Sequence, residues 1–447
     1  MEKLVIEGGT PLTGTLRVSG AKNAALPILI ATLLAPGEHR IAGVPELADV
    51  SSTLSLLGRI GCPSLAGPTT RVDTSRIAFS EAPYDVVRKM RASVLVLGPL
   101  LARCGEAQVS LPGGCAIGVR PIDQHLQGLE ALGCRFRLDG GMIRGTTDGL
   151  RGAEIRLDVP TVTGTENILM AAVLAEGTTV LHNVAREPEV VDLCRFLVTL
   201  GARIEGAGTS TLVIEGVPRL TPASRPYRVL PDRIETGTYL CAAAAAGGDV
   251  TVTHTDPTLL GSVLEALEAA GCTISTTADT IRVQRFGPLR PVSLRTEAYP
   301  GFPTDMQAQV MALATLAAGT SQFEETIFEN RFMHAAELGR MGATITTNGP
   351  TATVVGSTLS GASVMASDLR ASAALVIAGL AAEGLTEVLR IYHLDRGYED
   401  LVGKLRGVGA RITRISDAVR DESQMRAALD AAEPSAPRQR LYPAVVA

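Results

Sequence analysis

Two hydrophobic periods alternate along this chain, and the alternation recurs six times. Ala- and Leu-rich runs of helical length are closed by glycine at Gly37, Gly105, Gly177, Gly247, Gly319 and Gly384. A second kind of helix ends in a Leu-x-x-apolar-Gly pattern, with glycines at Gly61, Gly133, Gly201, Gly271, Gly342 and Gly409. Both series advance in steps of 65–72 residues. Two independent marks sharing one period identify an internal repeat. A glycine past a helix end supplies the left-handed conformation that closes the last turn. Short segments of alternating apolar and polar residues follow, such as 107–110 and 250–253, and predict strands. Each repeat is therefore an α/β module of two helices and several strands, of βαβαββ type. Six modules exceed what one core holds, so the pattern predicts two domains of three modules each, with a ligand cleft between them.

Composition narrows the function. The chain has 447 residues, 46% of them hydrophobic, enough for two sizeable cores. Tryptophan is absent and aromatic residues are 3%, so stacking on bases or sugars cannot dominate a binding site. With 41 Lys and Arg against 46 Asp and Glu the net charge is −5, which argues against nucleic acid or an anionic membrane as partner. The apolar run at 24–35 contains Pro27, is too short to cross a bilayer, and predicts a buried helix. Residues 1–3 lead straight into Leu4-Val5-Ile6, which reads as a strand with no signal-peptide layout and predicts a cytoplasmic protein. Seven cysteines show no metal-ligand spacing; the odd count predicts free thiols in a reducing compartment.

One thiol stands apart. Leu111-Pro112-Gly113-Gly114-Cys115-Ala116-Ile117-Gly118-Val119-Arg120-Pro121 places Cys115 among three glycines and close to an arginine. Mobile backbone and a nearby cation favour a reactive thiolate. Cys62, Cys134 and Cys272 each follow a helix-ending glycine and read as small core residues. Cys104, Cys194 and Cys241 fall in apolar helical runs.

The repeat also ranks the charged residues. Fourteen residues before the glycine of the Ala/Leu-rich helix stand Arg91, Thr163, Arg233, Asp305 and Arg370, and Lys22 stands fifteen before. These are helix starts. Free N–H groups and the positive end of the dipole already favour anions there, and a cation costs about 0.3–1 kcal/mol. A chain that repeats this placement gains something from it, such as binding a multiply charged anion. A second polar ring follows the next strand: Cys115 and Arg120, Arg186-Glu187, Asp256, Asn330-Arg331 and Asp395-Arg396. Arg186 and Arg233, taken alone, read equally well as structural ion pairs. Pro121 fits the first helical position, with Asp123 in the first turn, so 120–124 is a helix start suited to a diphosphate or ribose. Asp305, ahead of a long apolar helix, is either a first-turn carboxylate or a general base.

Several motifs resemble the UDP-N-acetylglucosamine 1-carboxyvinyltransferase (MurA) family. They are Val18-Ser19-Gly20-Ala21-Lys22-Asn23-Ala24-Ala25-Leu26-Pro27, the Cys115 loop with Arg120-Pro121, and Leu230-Pro231-Asp232-Arg233-Ile234-Glu235-Thr236-Gly237. Phe302-Pro303-Thr304-Asp305-Met306-Gln307, Phe328-Glu329-Asn330-Arg331-Phe332-Met333-His334, Asp368-Leu369-Arg370-Ala371-Ser372 and His393-Leu394-Asp395-Arg396-Gly397-Tyr398 complete the set. The resemblance spans residues 4–415.

It implies an α/β fold of two inside-out, barrel-like domains of three repeats each, with the active site in the interdomain cleft. One domain would comprise 1–21 plus 230–416 and the other 22–229, with 417–447 a C-terminal extension, partly helical or disordered. It implies transfer of the enolpyruvyl group of phosphoenolpyruvate to the 3-hydroxyl of UDP-N-acetylglucosamine with release of phosphate, the first committed step of peptidoglycan synthesis. No metal or cofactor is implied.

By the same resemblance Cys115 protonates the methylene carbon, forms a covalent adduct and is the fosfomycin target, while Asp305 deprotonates or orients the sugar hydroxyl. Lys22, Arg120, Arg331, Arg370 and Arg396 grip phosphoenolpyruvate, and Asn23 holds the tetrahedral intermediate; Lys22, Asn23 and Arg396 count with the catalytic set. Arg91, Arg120, Pro121, Ile122, Asp123, Gln124, Thr161, Val162, Thr163, Gly164, Asp305 and Ile327 face the UDP-sugar. The chain departs from the pattern at Asp158-Val159-Pro160-Thr161-Val162-Thr163-Gly164, where some members have a lysine and a Val-Gly pair, and in its tail beyond Ile415. Competing readings are an enolpyruvyl transferase for shikimate 3-phosphate, one for another nucleotide, and a non-catalytic protein that binds anionic metabolites.

Overall fold

The computed structural model describes residues 2–82, 84–87, 90–111 and 122–432. It is a mixed α/β chain that divides into two compact units. Among the described residues, unit 1 comprises 2–19 and 231–432, and unit 2 comprises 20–230. Each has its own hydrophobic core. Among the described residues no helix is long and apolar enough to cross a membrane.

Six four-stranded sheets share one topology. In one, Glu154–Arg156 runs parallel to Thr178–His182, which is antiparallel to Thr211–Glu215, itself antiparallel to Arg203–Glu205. The parallel pair is joined through a central helix, as a crossover requires; the last two strands form a hairpin. The remaining five sheets repeat this order, three of them with an exchanged strand. Leu12–Arg17 supplies the parallel strand for Gly248–Thr253 in unit 1, and Tyr227–Arg228 supplies it for Glu38–Ala42 in unit 2. The first strand, Glu2–Glu7, completes the sixth sheet between Leu385–Leu389 and Arg411–Ser416.

The two glycine series mark backbone that a side chain would strain. Gly61, Gly133, Gly201, Gly271, Gly342 and Gly409 take φ of 99, 100, 105, 98, 95 and 97°, one conformation repeated six times. The other series also has positive φ throughout. It does not uniformly cap the helix, as the pattern predicts. Gly105 and Gly247 directly follow theirs, whereas Gly319 lies beyond a turn after the helix Thr304–Ala314. There the chain needs the extra residues to turn from the helix into the next strand.

The apolar runs are the central helices. In unit 1, Arg233–Ala246, Thr304–Ala314 and Leu369–Ala381 pack against one another and are buried nearly all round. Gly237 lets two of them approach: a Cβ there would lie 2.8 Å from Met306 Cε. In unit 2 the corresponding helices are Lys22–Ala31, Leu97–Cys104 with its leading turn Arg91–Val96, and Val162–Ala172.

The sixth sheet has an addition. Beyond its last strand, the helix Glu422–Asp430 lays Met425 and Leu429 on Val5. Strand Glu2–Glu7 is thereby buried on both faces, whereas the matching strand Thr69–Asp73 alternates buried and exposed. Lys3, fully buried, pairs with Glu387 and donates to the Val419 carbonyl at 2.6 Å. The extension is therefore helical and docked through residue 430; its final part, 433–447, lies outside the described residues.

Candidate active site

In unit 1 the helix starts converge on a carboxylate. Asp305 occupies the first turn of Thr304–Ala314, so its side chain projects from the end of the central bundle. Arg370, in the first turn of Leu369–Ala381, donates to Asp305 Oδ2 from Nη2 at 2.8 Å and from Nε at 3.1 Å. Arg331 donates from Nη2 to Oδ1 at 2.8 Å. The two guanidinium side chains are 6% and 4% exposed and the carboxylate is 28% exposed. Burial alone would raise the Asp305 pKa, but the charges and hydrogen bonds of Arg370 and Arg331 outweigh it and hold the carboxyl well below its usual range. Asp305 is thus a firmly ionised carboxylate between two cations. Arg331 Nη1 is buried with no hydrogen-bond partner among the described residues, leaving donor capacity for an anion.

Three residues without a predicted role support this clamp. Arg370 Nη1 donates to the Tyr398 hydroxyl at 3.2 Å, and that hydroxyl lies 3.0 Å from Thr238 Oγ1. Thr238 donates to the Ile234 carbonyl at 2.8 Å, so the chain of donors runs from Arg370 through Tyr398 to the backbone of a neighbouring central helix. Gln309 braces it, donating to the Asp305 carbonyl at 2.8 Å and to Thr238 at 3.2 Å. Glu325 is a fourth. Its carboxylate accepts from the Thr304 hydroxyl at 2.9 Å and from the backbone N–H of Ile327 at 2.9 Å, fixing the Asp305 helix start beside the Ile327 loop. Their signal was periodicity: Thr238 and Gln309 sit one turn past Ile234 and Asp305.

Arg396 ends the short helix Ile391–Arg396, where its charge helps burial to depress the His393 pKa. Its neighbour Asp395 is ion-paired with Arg414, a structural role. Asp256 caps a turn through the Thr258 N–H at 3.0 Å. Arg233 is buried against the ring of Tyr299.

In unit 2 one helix start, Lys22, is ion-paired, and another, Thr163, meets a neutral network. Lys22 Nζ lies 3.1 Å from Asp49 Oδ2, and Asn23 is exposed beside it. His125, 1% exposed, sits between Thr163 Oγ1 at 3.2 Å from Nε2 and Asn167 Nδ2 at 3.1 Å from Nδ1. Asn167 also donates to the Val94 carbonyl and accepts from Gly98 N–H at 2.7 Å. Gly98 is required: a Cβ there would lie 2.3 Å from the Asn167 carbonyl oxygen. Burial, then the charge of Arg91, lowers the His125 pKa to about 4, so the ring is neutral. Gln124 Oε1 accepts from Asp158 N at 2.7 Å and Val159 N at 3.3 Å. Thr161 caps the helix Val162–Ala172 by accepting from Gly164 N at 3.3 Å. Unit 2 thus gathers Arg91, Asp123, Gln124 and 161–164 around one histidine.

The helix after the thiol loop begins at Asp123, with Ile122 at φ −114° as its cap, two residues later than the expected start at Pro121. Cys115, Arg120 and Pro121 lie outside the described residues. Among the six described cysteines five are buried, and Cys104 is exposed at the end of the apolar helix Leu97–Cys104. Burial pushes every one of these thiols up: Cys62 and Cys272 to about 11, Cys134 and Cys194 to about 12, and Cys104 and Cys241 also upward. None is poised as a thiolate.

Residues 6–405 match the family described as EPSP synthase (3-phosphoshikimate 1-carboxyvinyltransferase). The chain is 59% identical over 421 residues to the UDP-N-acetylglucosamine 1-carboxyvinyltransferase of Dichelobacter nodosus, covering 94% of this chain and 100% of that protein. It is 57% identical to the protein of the same name from Anaeromyxobacter dehalogenans, covering 93% and 100%. Among solved structures, the enolpyruvyl transferase NikO from Streptomyces tendae superposes with a TM-score of 0.83 at 27% identity, over 93% of this chain and 99% of that one. EPSP synthase from Acinetobacter baumannii shares the fold, with a TM-score of 0.72 at 17% identity over 93% and 100%.

Proposed function

The chain belongs to the EPSP synthase family of carboxyvinyl transferases, and we propose that it transfers the enolpyruvyl group of phosphoenolpyruvate to the 3-hydroxyl of UDP-N-acetylglucosamine. The observation that carries this reading is the full-length 59% identity to a relative named for that activity, against 27% to NikO and 17% to an EPSP synthase. The product would feed peptidoglycan synthesis. We also propose the arrangement that family resemblance implies: two inside-out α/β domains, 1–21 plus 230–416 and 22–229, with the chemistry in a cleft between them.

The reaction adds an alcohol to an enol phosphate and then eliminates phosphate to leave an enol ether. The sugar oxygen attacks C2 of phosphoenolpyruvate while its proton passes to Asp305; the Cys115 thiol gives a proton to C3. The tetrahedral adduct then loses a C3 proton and phosphate, restoring the double bond. An ionised Asp305 with a depressed pKa is a weak base toward a free hydroxyl. It takes the proton as the oxygen bonds to carbon and acidifies. Arg331, Arg370 and Arg396, with Lys22, Asn23 and Arg120, bind the phosphate and carboxylate and stabilise the adduct. Arg91, residues 120–124, 161–164 and Ile327 receive the nucleotide sugar.

Phosphate release from phosphoenolpyruvate, measured with each acceptor, tests the assignment. UDP-N-acetylglucosamine should support release. Release with shikimate 3-phosphate alone would overturn it.

A further inference from the structure

The hydrogen-bond polarity around His125 assigns a task to a hydroxyl that the chain carries where it departs from the family pattern. The argument is an accounting of protons. Gly98 N–H donates to Asn167 Oδ1, which fixes the orientation of the amide. Asn167 Nδ2 must then donate, and its two partners are the Val94 carbonyl and His125 Nδ1. His125 Nδ1 is therefore an acceptor. In a neutral ring the proton sits on Nε2, which faces Thr163 Oγ1 at 3.2 Å. Thr163 Oγ1 accepts this bond, so its own proton is left to be donated. Among the described residues Thr163 makes no other side-chain hydrogen bond, and it is partly exposed, unlike the buried Thr165 beyond it.

We propose that His125 is a positioning residue that makes the Thr163 hydroxyl an obligate donor to an acceptor oxygen of the nucleotide. This rests on the reading that the protein binds UDP-N-acetylglucosamine. The relay crosses three of the segments expected to face that substrate. Asn167 is anchored on the helix that begins near Arg91, His125 follows Asp123 and Gln124, and Thr163 lies in the first turn of its own helix, where free N–H groups also favour an anionic or electron-rich partner. A protonated imidazole would break the relay, since Nδ1–H would face the Asn167 amide hydrogens. Burial and the nearby Arg91 charge both oppose that state.

The test combines UDP binding by calorimetry with steady-state kinetics on Thr163→Val, His125→Asn, His125→Gln and the Thr163→Val/His125→Asn double variant. Asn reproduces the Nδ1 side of the ring and loses the bond to Thr163; Gln can still donate to it. One lost hydrogen bond corresponds to roughly a tenfold change. UDP affinity should fall, and KM for UDP-N-acetylglucosamine rise, about tenfold in Thr163→Val and His125→Asn. The double variant should be no worse than either, His125→Gln should restore most of the loss, and KM for phosphoenolpyruvate should stay put. Additive losses, equal rises in both KM values, or unchanged UDP affinity would overturn the proposal. Wild-type protein that neither binds UDP nor turns over its sugar would instead sink the functional reading, whatever the variants do.

Discussion

The two units use the same plan of four-stranded sheets and helices to build different kinds of polar centre. In unit 1 the central helices carry Asp305 and Arg370, and the network centres on their ion pair, with neutral Tyr398, Thr238 and Gln309 behind it. In unit 2 the equivalent positions carry Arg91 and Thr163, and a network through neutral His125 and Asn167 joins Thr163 to the Val94 carbonyl and the Gly98 N–H. The difference teaches that the repeat supplies positions, not chemistry. A helix start at the end of a buried bundle is a place where a polar side chain can be held by backbone and neighbours. What sits there decides whether the site stabilises charge or reads hydrogen-bond direction. A charge centre must be over-determined, because an unpaired buried ion costs several kcal/mol; a neutral relay carries a smaller penalty per group.

The largest effect should come from the centre of unit 1. Asp305→Asn should lower kcat by about 10²–10⁴-fold, while calorimetry shows UDP-N-acetylglucosamine affinity little changed. A loss confined to thermal stability would reduce Asp305 to a helix-start carboxylate. Next comes the contrast itself. Arg370→Met should destabilise by about 3 kcal/mol, since it leaves the partly buried Asp305 carboxylate with one cation instead of two. Asn167→Ala should cost about 1–3 kcal/mol, the price of orphaned neutral groups. Denaturant titration of both variants measures the gap, and equal losses would erase the distinction between the units.

A third test uses pH, because both units bury histidines whose pKa is lowered: His334 in unit 1, His39 and His125 in unit 2. His125 and, in unit 1, His334 have pKa values of about 4, lowered first by burial. The unfolded chain binds those protons near pH 6.5 and the folded chain does not. Stability must therefore fall as pH drops from about 6.5 to 4, by up to about 3 kcal/mol per histidine. His125→Gln and His334→Gln should each flatten that slope in denaturation followed between pH 7 and 4.5. The depressed Asp305 pKa acts in the same direction but lower. Its contribution is present above the ordinary carboxylate range and is lost as pH falls below about 4.

The primary sequence alone determined the module, its sixfold repetition and the family. Glycine spacing and the alternation of periods are local properties, written residue by residue. The six glycines at φ near 100° follow from that spacing, because no other residue adopts that turn cheaply. Ranking of the helix-start residues was legible for the same reason: Asp305 and Arg370 stand at one register of the repeat. Their pairing was not, because residues 65 apart in the chain meet only once the helices pack. Nor was the support beneath them. Tyr398, Thr238, Gln309 and Glu325 look like ordinary polar residues until three helices bring them within 3.5 Å of their partners. His125 is the clearest case. Its composition and position suggest nothing, and only the fixed amide of Asn167 on one side and the hydroxyl of Thr163 on the other decide which nitrogen holds the proton. Proton direction is a property of a closed network, and a network closes only in three dimensions.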